Sequence, residues 1–132
     1  MAGYSGTPLA KKLGLRDGMH AYLVQVPEDL RPLFATLHVS PKLVNELDYI
    51  HVFSTDADAL AKTLPKLAKA LADRGMLWLS WPKKASKRPT TLDEVGARAI
   101  GLSTGLVDVK VCAVDEVWSG LKFMRRVADR AK

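Results

Sequence analysis

The N-terminal segment combines residue types that bind anions. A run of small, hydroxylated and aromatic residues precedes two lysines: Tyr4, Ser5, Gly6 and Thr7, then Lys11 and Lys12. Hydroxylated residues and a glycine just before a helix N-terminus can form a nest of backbone N–H groups around a phosphate or carboxylate. We therefore interpret this segment as one half of an anion-binding site.

A basic loop is the candidate for the other half of that site. It contains Lys83, Lys84 and Ser86, and either Trp81 or Trp118 would supply an aromatic wall. The loop follows a predicted strand, and open parallel sheets bind ligands beyond the carboxyl ends of their strands. At about 3.3 Å per residue the N-terminal arm spans about 20 Å, so it can reach the loop. A solvated basic loop and an arm that only covers the sheet are the alternative.

The remaining chemistry-bearing residues form no complete catalytic motif. His20, His38 and His51 lie on or near separate predicted strands without the spacing of metal ligands, so we interpret them as structural or surface residues. Cys112 falls in the middle of a strand, which favours a buried and inert thiol. The paired acids at 115–116 are typical of a hairpin turn. The sequence has neither a G-x-G-x-x-G turn nor a Walker-type loop.

Length and composition are those of an ordinary globular domain. The chain has 132 residues, 48% of them hydrophobic and 26% charged, which suits one domain with its own core. A net charge of +6 favours acidic partners, namely nucleic acid, phosphorylated ligands, acidic protein surfaces or anionic lipid. The single cysteine, the polar N-terminus and the lack of long apolar runs predict a cytoplasmic protein without a membrane span.

Hydrophobic periodicity and turn residues predict alternating helices and strands. The predicted strands are 20–26, a weak 37–39, 49–54, 76–81, 106–114 and 117–125, and the predicted helices begin near residues 8, 27, 55 and 91. We expect one domain, in which 1–18 is an arm with a short helix, 19–126 is the core and 127–132 is a frayed tail.

The third predicted helix carries a leucine stripe and three boundary signals. We expect Thr55 to be its N-cap, Pro65 to kink or break it, and Gly75 to end it.

The fourth predicted helix begins at a capping box formed by Thr91 and Glu94. Its apolar spacing predicts a core-facing side made of Val95, Ala99 and Leu102.

The order of the elements predicts a mostly parallel sheet with helices on both faces. Only residues 115–116 join the last two strands, and so short a join requires an antiparallel hairpin. Trp81-Pro82 is a candidate for a cis peptide bond.

Two runs in the second half of the chain carry a family resemblance. They read "LADRGMLWLSWPK" and "GLVDVKVCAVDEVWSGLKFMRR", and residues 73–75 stand where the family has a Pro-Gly-Gly-like turn. This half resembles class I S-adenosylmethionine-dependent methyltransferases. The resemblance implies an α/β, three-layer, Rossmann-like fold, truncated relative to the family. Its mixed sheet would have the strand order 2-1-3-4-6-5, with strand 6 antiparallel.

Three further runs span most of the chain: "YSGTPLAKKLGL", "WPKKASK" and "GLVDVKVCAVDEVWSGLKF". They resemble the signatures of domain-of-unknown-function family 3052, a group of small bacterial proteins. The family label implies kinship and supplies no reaction.

The residues that would hold the methyltransferase cofactor do not follow the family pattern. That pattern has a glycine-rich turn after the first strand and an acid at the end of the second, which binds the ribose hydroxyls. Here the first turn reads Gln25, Val26, Pro27, and the segment 27–48 leaves room for one helix and at most a weak strand. We therefore expect no cofactor and regard S-adenosylmethionine as disfavoured.

Three functions follow in order of preference. The first is a non-catalytic binding or regulatory module that holds an anionic ligand or an acidic protein partner at the old ligand edge. The second is a methyltransferase with a remodelled S-adenosylmethionine site. The third is a nucleic-acid binder. Against it, the sequence has neither a recognition helix nor a basic stripe with interleaved aromatics.

Overall fold

The computed structural model describes residues 8–130. The strands are β1 (His20–Val24), β2 (His38–Val39), β3 (Leu47–Phe53), β4 (Leu71–Pro82), β5 (Leu106–Ala113) and β6 (Trp118–Arg125). The α-helices are α1 (Leu9–Lys12), α2 (Ala57–Ala70) and α3 (Glu94–Leu102), and 3₁₀ helices cover Glu28–Phe34, Lys84–Ser86 and Val127–Asp129. No helix within 8–130 combines the length and apolarity needed to cross a bilayer.

The strands form one six-stranded sheet in the order β2-β1-β3-β4-β6-β5. Neighbouring strands from β2 to β4 are parallel, whereas β6 runs antiparallel to both β4 and β5. The expected mixed α/β fold and its strand order are therefore confirmed.

Alternating side chains of the strands build two cores, one on each face of the sheet. On the helical face, Ile50 and Leu77 pack with the leucines of α2. On the opposite face, Tyr49 and Trp78 pack with α1 and the first 3₁₀ helix, and Leu13 lies among them. Successive residues of the strands thus enter opposite cores, and helices cover both faces of the sheet.

Helix α2 differs from its prediction at both ends, and it is not broken at Pro65. Its N-cap is Asp56, one residue after Thr55, and the Asp56 carboxylate accepts hydrogen bonds from the next turn at 2.9 and 3.2 Å. The helix runs unbroken through Pro65. A helical proline costs about 3 kcal/mol, and each buried leucine of the stripe returns about 1.5–3 kcal/mol, so packing outweighs the lost hydrogen bond.

Gly75 does not end α2, because the helix stops at Ala70 and Gly75 lies inside β4. A Cβ at Gly75 would lie 2.6 Å from the carbonyl oxygen of Leu47 on β3. The glycine therefore allows two backbones to approach closely, at the place where the β3–β4 register shifts.

The predicted core face of α3 is wrong. Val95 is 76% exposed and Leu102 is 43% exposed, whereas Ala97 and Gly101 are buried against the sheet. A Cβ at Gly101 would come within 2.1 Å of the Phe123 ring, so only the small side of the helix fits here. The orientation of α3 is decided by how closely its backbone can approach the sheet, and not by which of its apolar residues are largest.

The start of α3 also differs from the predicted capping box. Asp93 is the N-cap, and its carboxylate accepts from the Gly96 N–H at 2.8 Å. The Thr91 hydroxyl instead accepts from the Ala57 N–H at 2.8 Å, in the first turn of α2. Thr91 thus joins the two helices that cover the helical face.

The hairpin and the tail complete the sheet. The Asp115 carboxylate accepts from the Val117 and Trp118 N–H groups at 2.9 and 2.7 Å, which gives the acid the predicted turn role. Every peptide bond between residues 8 and 130 is trans, so Trp81-Pro82 is not cis. After β6 the tail forms a short 3₁₀ helix, in which Arg126 and Asp129 form an ion pair at 2.8 Å.

Candidate functional site

The carboxyl ends of β1 and β3 mark the topological switch point of the sheet. The chain leaves β1 toward the first 3₁₀ helix on one face, and it leaves β3 toward α2 on the other. These two strands are paired up to Val24 and Val52. Because their connections diverge, a crevice opens at this edge, which is where open α/β sheets bind ligands.

Gln25 is the residue that shapes this crevice. Its φ is +55°, in the left-handed region that residues with a side chain rarely adopt. A left-handed residue cannot continue a strand, so β1 ends at Val24 and not at 26 as predicted. The side chain is exposed, and Gln25 lines a cavity on each face of the sheet.

The larger cavity has a volume of about 300 Å³ and lies on the face opposite α2. We call it the switch-point cavity; its lining residues are Leu23, Gln25, Val26, Arg31, Phe34 and Val39. Of these described residues, four are apolar, one supplies an amide and one a guanidinium, and none carries a carboxylate. The cavity therefore offers apolar contact together with a single positive charge.

Arg31 is the charged group of the cavity. Its Nε donates to the Glu28 carboxylate at 3.2 Å, and both side chains are largely exposed, at 65% and 92%. A guanidinium has five N–H donors, so this ion pair leaves several of them available to a ligand. The pair is also weak because water screens it.

The smaller cavity, of about 70 Å³, lies between the strand ends and the first turns of α2. Ser54 and Thr63 supply its hydroxyls, but both already donate to backbone carbonyls, at 3.2 and 2.6 Å. Its size suits a water molecule or a small group and not a whole metabolite.

A buried polar chain lies beneath the switch-point cavity. The Tyr49 hydroxyl is 2.8 Å from His51 Nδ1, and His51 Nε2 is 2.8 Å from the Ser80 hydroxyl. The ring of Phe34 packs edge-on against His51 at 5.8 Å and separates this chain from the cavity. Burial lowers the pKa of His51 to about 3, so the imidazole is neutral at physiological pH. His51 is thus a structural residue.

The other candidate ligands of a metal are dispersed. His20 and His38 stack at 5.6 Å, and both are exposed at the amino ends of β1 and β2. Cys112 is half-buried, and burial raises the pKa of its thiol. Within residues 8–130, no three His, Cys, Asp or Glu side chains converge on one point.

Only part of the N-terminal half of the predicted anion site lies within the described residues. Tyr4, Ser5, Gly6 and Thr7 lie outside the described residues. Lys11 and Lys12 are exposed on α1, and the Lys12 carbonyl accepts from Lys110 Nζ at 3.0 Å.

In the basic loop of the predicted site, Lys83 and Ser86 form hydrogen bonds to backbone carbonyls of the protein itself. Lys83 Nζ donates to the Asp115 carbonyl at 2.6 Å, and the Ser86 hydroxyl donates to the Lys83 carbonyl at 2.7 Å. These bonds hold the loop against the hairpin and occupy one of the three donors of the Lys83 ammonium, whereas Lys84 is exposed.

The two predicted aromatic walls lie on opposite faces of the sheet. Trp81 is 4% exposed within the core under α2 and α3, so it cannot form a wall of a surface site. Trp118 is half-exposed on the other face and packs edge-on against Phe53 at 5.3 Å. Register partners share a face of the sheet, and successive residues of a strand point to opposite faces. Trp81 is the partner of Ser119, so Trp118, the residue before it, faces the other side.

Sequence reasoning identified the turn after the first strand as part of the ligand edge but not the residues that line the cavity. Arg31 and Phe34 lie on the 3₁₀ helix that returns over the sheet, and Val39 lies on a strand of two residues. The left-handed conformation of Gln25 has no sequence signal, because glycine and asparagine are its usual markers.

Solved methyltransferase structures are similar to this fold. A S-adenosylmethionine-dependent methyltransferase from Aquifex aeolicus matches 88% of this chain and 87% of its own, with a TM-score of 0.64 and 18% sequence identity. The magnesium protoporphyrin IX methyltransferase from Synechocystis, with bound S-adenosylmethionine, matches 89% and 74% with a TM-score of 0.63 and 12% identity. Fibrillarin from Aeropyrum pernix, with natively bound S-adenosyl-L-methionine, matches 88% and 73% with a TM-score of 0.55 and 13% identity.

At these identities the likeness establishes a methyltransferase-like, Rossmann-like fold and nothing about chemistry. No protein-family model matches the chain, and no curated protein matches it. The likeness to domain-of-unknown-function family 3052 therefore stays a sequence resemblance.

Proposed function

We propose that this protein is a non-catalytic binding module that holds a small anionic molecule with an apolar body in the switch-point cavity. The observation that supports this proposal is the cavity itself. It lies at the switch point of the sheet, with apolar walls and the Arg31 guanidinium at one side. Ligand cavities begin at about 300 Å³, so the volume favours a ligand of few atoms.

The cavity residues favour an anion over a neutral ligand. An anion in place of the exposed Glu28 partner would receive charge-assisted hydrogen bonds from Arg31, which are stronger than those between neutral groups. Phe34 and Leu23 supply apolar surface for the body of the ligand.

The residues at this edge do not match the set that would hold S-adenosylmethionine in the pose implied by the methyltransferase resemblance. The turn after β1 has Gln25 and Pro27 in place of glycines, and Pro27 has no N–H to donate. The strand β2 ends at Val39, followed by Ser40, so no acid stands there to bind ribose hydroxyls. These departures support a binding role without methyl transfer.

A methyltransferase with a remodelled cofactor site is the second candidate. One observation favours it: Gln25 holds a left-handed backbone conformation where the family pattern has glycine, so the direction of the turn is kept. Titration calorimetry with S-adenosylmethionine separates the two proposals. Saturable micromolar binding favours the enzyme, and no heat beyond dilution favours the binding module.

The binding proposal is tested by thermal shift with benzoate, hexanoate and phenyl phosphate as probes. We expect at least one probe to raise the melting temperature saturably in the parent protein. Arg31→Gln should weaken that binding about tenfold, because a hydrogen bond to a charged group contributes about 1.5–3 kcal/mol. Val39→Trp, which fills the cavity, should abolish it.

Val44→Trp is the matched control, because Val44 is similarly exposed (47% against 44% for Val39) and lies outside the cavity. It should leave binding unchanged. If no probe stabilises the protein more than sodium chloride of equal ionic strength does, the proposal fails.

A further inference from the structure

Three lysines meet on the sheet face opposite α2, away from the switch-point cavity. Lys110 on β5 is the register partner of Lys122 on β6, and Lys110 Nζ reaches α1 to donate to the Lys12 carbonyl at 3.0 Å. We call Lys12, Lys110 and Lys122 the lysine triad. Lys122 in turn pairs with Trp78 on β4, so the triad borders the buried core.

Within residues 8–130, no acidic side chain forms an ion pair with a lysine of the triad. Between residues 8 and 130 the ion pairs all use arginine, and none involves a lysine. Like charges directly opposite each other on neighbouring strands are destabilising, so this arrangement costs stability in the free protein.

Lys122 is the member of the triad whose charge is most disfavoured by its surroundings. Its side chain is half-buried, and burial followed by the charge of Lys110 lowers its pKa. A cation that is partly removed from water beside another cation is stabilised when an anion joins them.

The placement of the triad favours one compact anion. A surface for single-stranded nucleic acid needs a groove of cations that follows the backbone over several nucleotides. Here the cations occupy one register pair and the adjacent end of α1. Lysine ammonium groups bind phosphate as point charges, and several of them can share one phosphoryl group or a short chain of them.

We propose that the lysine triad is a second binding site, which holds the phosphoryl groups of a small phosphorylated molecule. The site is independent of the switch-point cavity and uses the outer half of the sheet. It also differs from the site predicted from the sequence, because Lys12 joins the hairpin strands and not the Lys83 loop.

Cys112 provides an internal reporter for this site. It lies on β5 two residues from Lys110, and its register partner is Gly120 on β6. The charges of Lys110 and Lys12 lower the pKa of its thiol against the larger effect of burial. An anion on the triad cancels that influence, so it should slow the alkylation of Cys112 by iodoacetamide, which reacts with the thiolate.

Tripolyphosphate is the probe, and titration calorimetry at constant ionic strength is the measurement. We expect saturable binding to the parent protein and slower alkylation of Cys112 at saturation. Lys110→Gln and Lys122→Gln should each weaken binding about tenfold or more, because each removes a hydrogen bond to a charged group. Lys122→Arg keeps the charge and should retain binding.

Lys66→Gln is the matched control: Lys66 is an exposed lysine of α2 on the other face of the sheet. Its loss removes the same net charge and should leave binding unchanged. Equal weakening by Lys66→Gln and Lys122→Gln would show a general charge effect and overturn the proposal. So would tripolyphosphate binding no tighter than sulfate. Lysine-dependent binding of oligodeoxythymidine without binding of tripolyphosphate would reassign the surface to nucleic acid and also overturn it.

Discussion

At the scale of single residues, several polar side chains serve the core and not a ligand. His51 is fully buried, yet both of its ring nitrogens have partners, Tyr49 and Ser80. It also stacks on Phe53 at 4.3 Å, as an aromatic core residue would. A neutral imidazole with two hydrogen bonds is stable in such a place, whereas an imidazolium is not.

We predict that His51 makes the protein acid-sensitive. Its pKa is about 3 in the folded state and near its ordinary value of 6.5 in the unfolded chain. Between these values the unfolded chain binds the proton and the folded state does not, so stability is complete above pH 6.5 and falls as the pH drops. The slope from this group is at most about 1.4 kcal/mol per pH unit.

Urea unfolding between pH 7 and pH 4 measures this slope, and the imidazole nitrogen shifts report the protonation directly. His51→Gln should remove this dependence of the unfolding free energy on pH, whereas substitution of an exposed histidine, His20→Gln, should leave it in place. An imidazole of His51 that titrates near pH 6.5 in the folded protein would contradict the prediction.

At the scale of elements, small residues decide how closely α3 lies on the sheet. Gly101 of α3 rests against the Phe123 ring of β6, and the larger Val95 and Leu102 face outward. The side of the helix that looks apolar in the sequence is therefore the exposed side.

Gly101→Ala should destabilise the protein by about 1–3 kcal/mol, although alanine is the better helix former. Its Cβ would lie 2.1 Å from the Phe123 ring, so the helix or the ring must move. Chemical denaturation measures the change.

Leu102→Ala is the control, because it alters the next residue on the exposed side of the same helix. It should change stability by less than about 1 kcal/mol. A Gly101→Ala protein as stable as the parent would mean that helix propensity, and not the approach to the sheet, governs α3.

At the scale of the whole molecule, distant parts of the chain are joined by few strong contacts. Arg125 at the end of β6 donates to the carbonyls of Ala68 and Leu71 at 3.0 and 2.6 Å, where α2 ends. These carbonyls lie at the negative end of the helix dipole, so a guanidinium is well placed there. The contact joins the last strand to the centre of the fold.

Arg125→Met should lower the free energy of unfolding by about 1–3 kcal/mol, because it removes the charged donor from the Ala68 and Leu71 carbonyls, of which Ala68 keeps the Leu71 N–H. Hydrogen exchange should quicken in the last turn of α2 more than in α3. Arg126→Met is the control: its exposed ion pair with Asp129 is local to the tail, and its loss should leave the unfolding midpoint nearly unchanged. Equal effects of the two substitutions would contradict this role of Arg125.

The sequence by itself determined the features that depend on neighbouring residues. Continuous apolar runs located the central strands, and the predicted two-residue join at 115–116 required the antiparallel hairpin of β5 and β6. In the structure the connection is longer, residues 114–117. The order of elements predicted a mostly parallel sheet, and the resemblance to class I methyltransferases implied the strand order, which is confirmed.

Only the tertiary structure decided the features that depend on what lies opposite a residue in space. The need for glycine at positions 75 and 101 comes from a backbone and a ring that are distant in sequence. The burial of Trp81 likewise depends on residues from other elements. The candidate sites belong to this group as well. The cavity beside Gln25 and the lysine triad arise where separate elements meet, and no local pattern of residue types records those meetings.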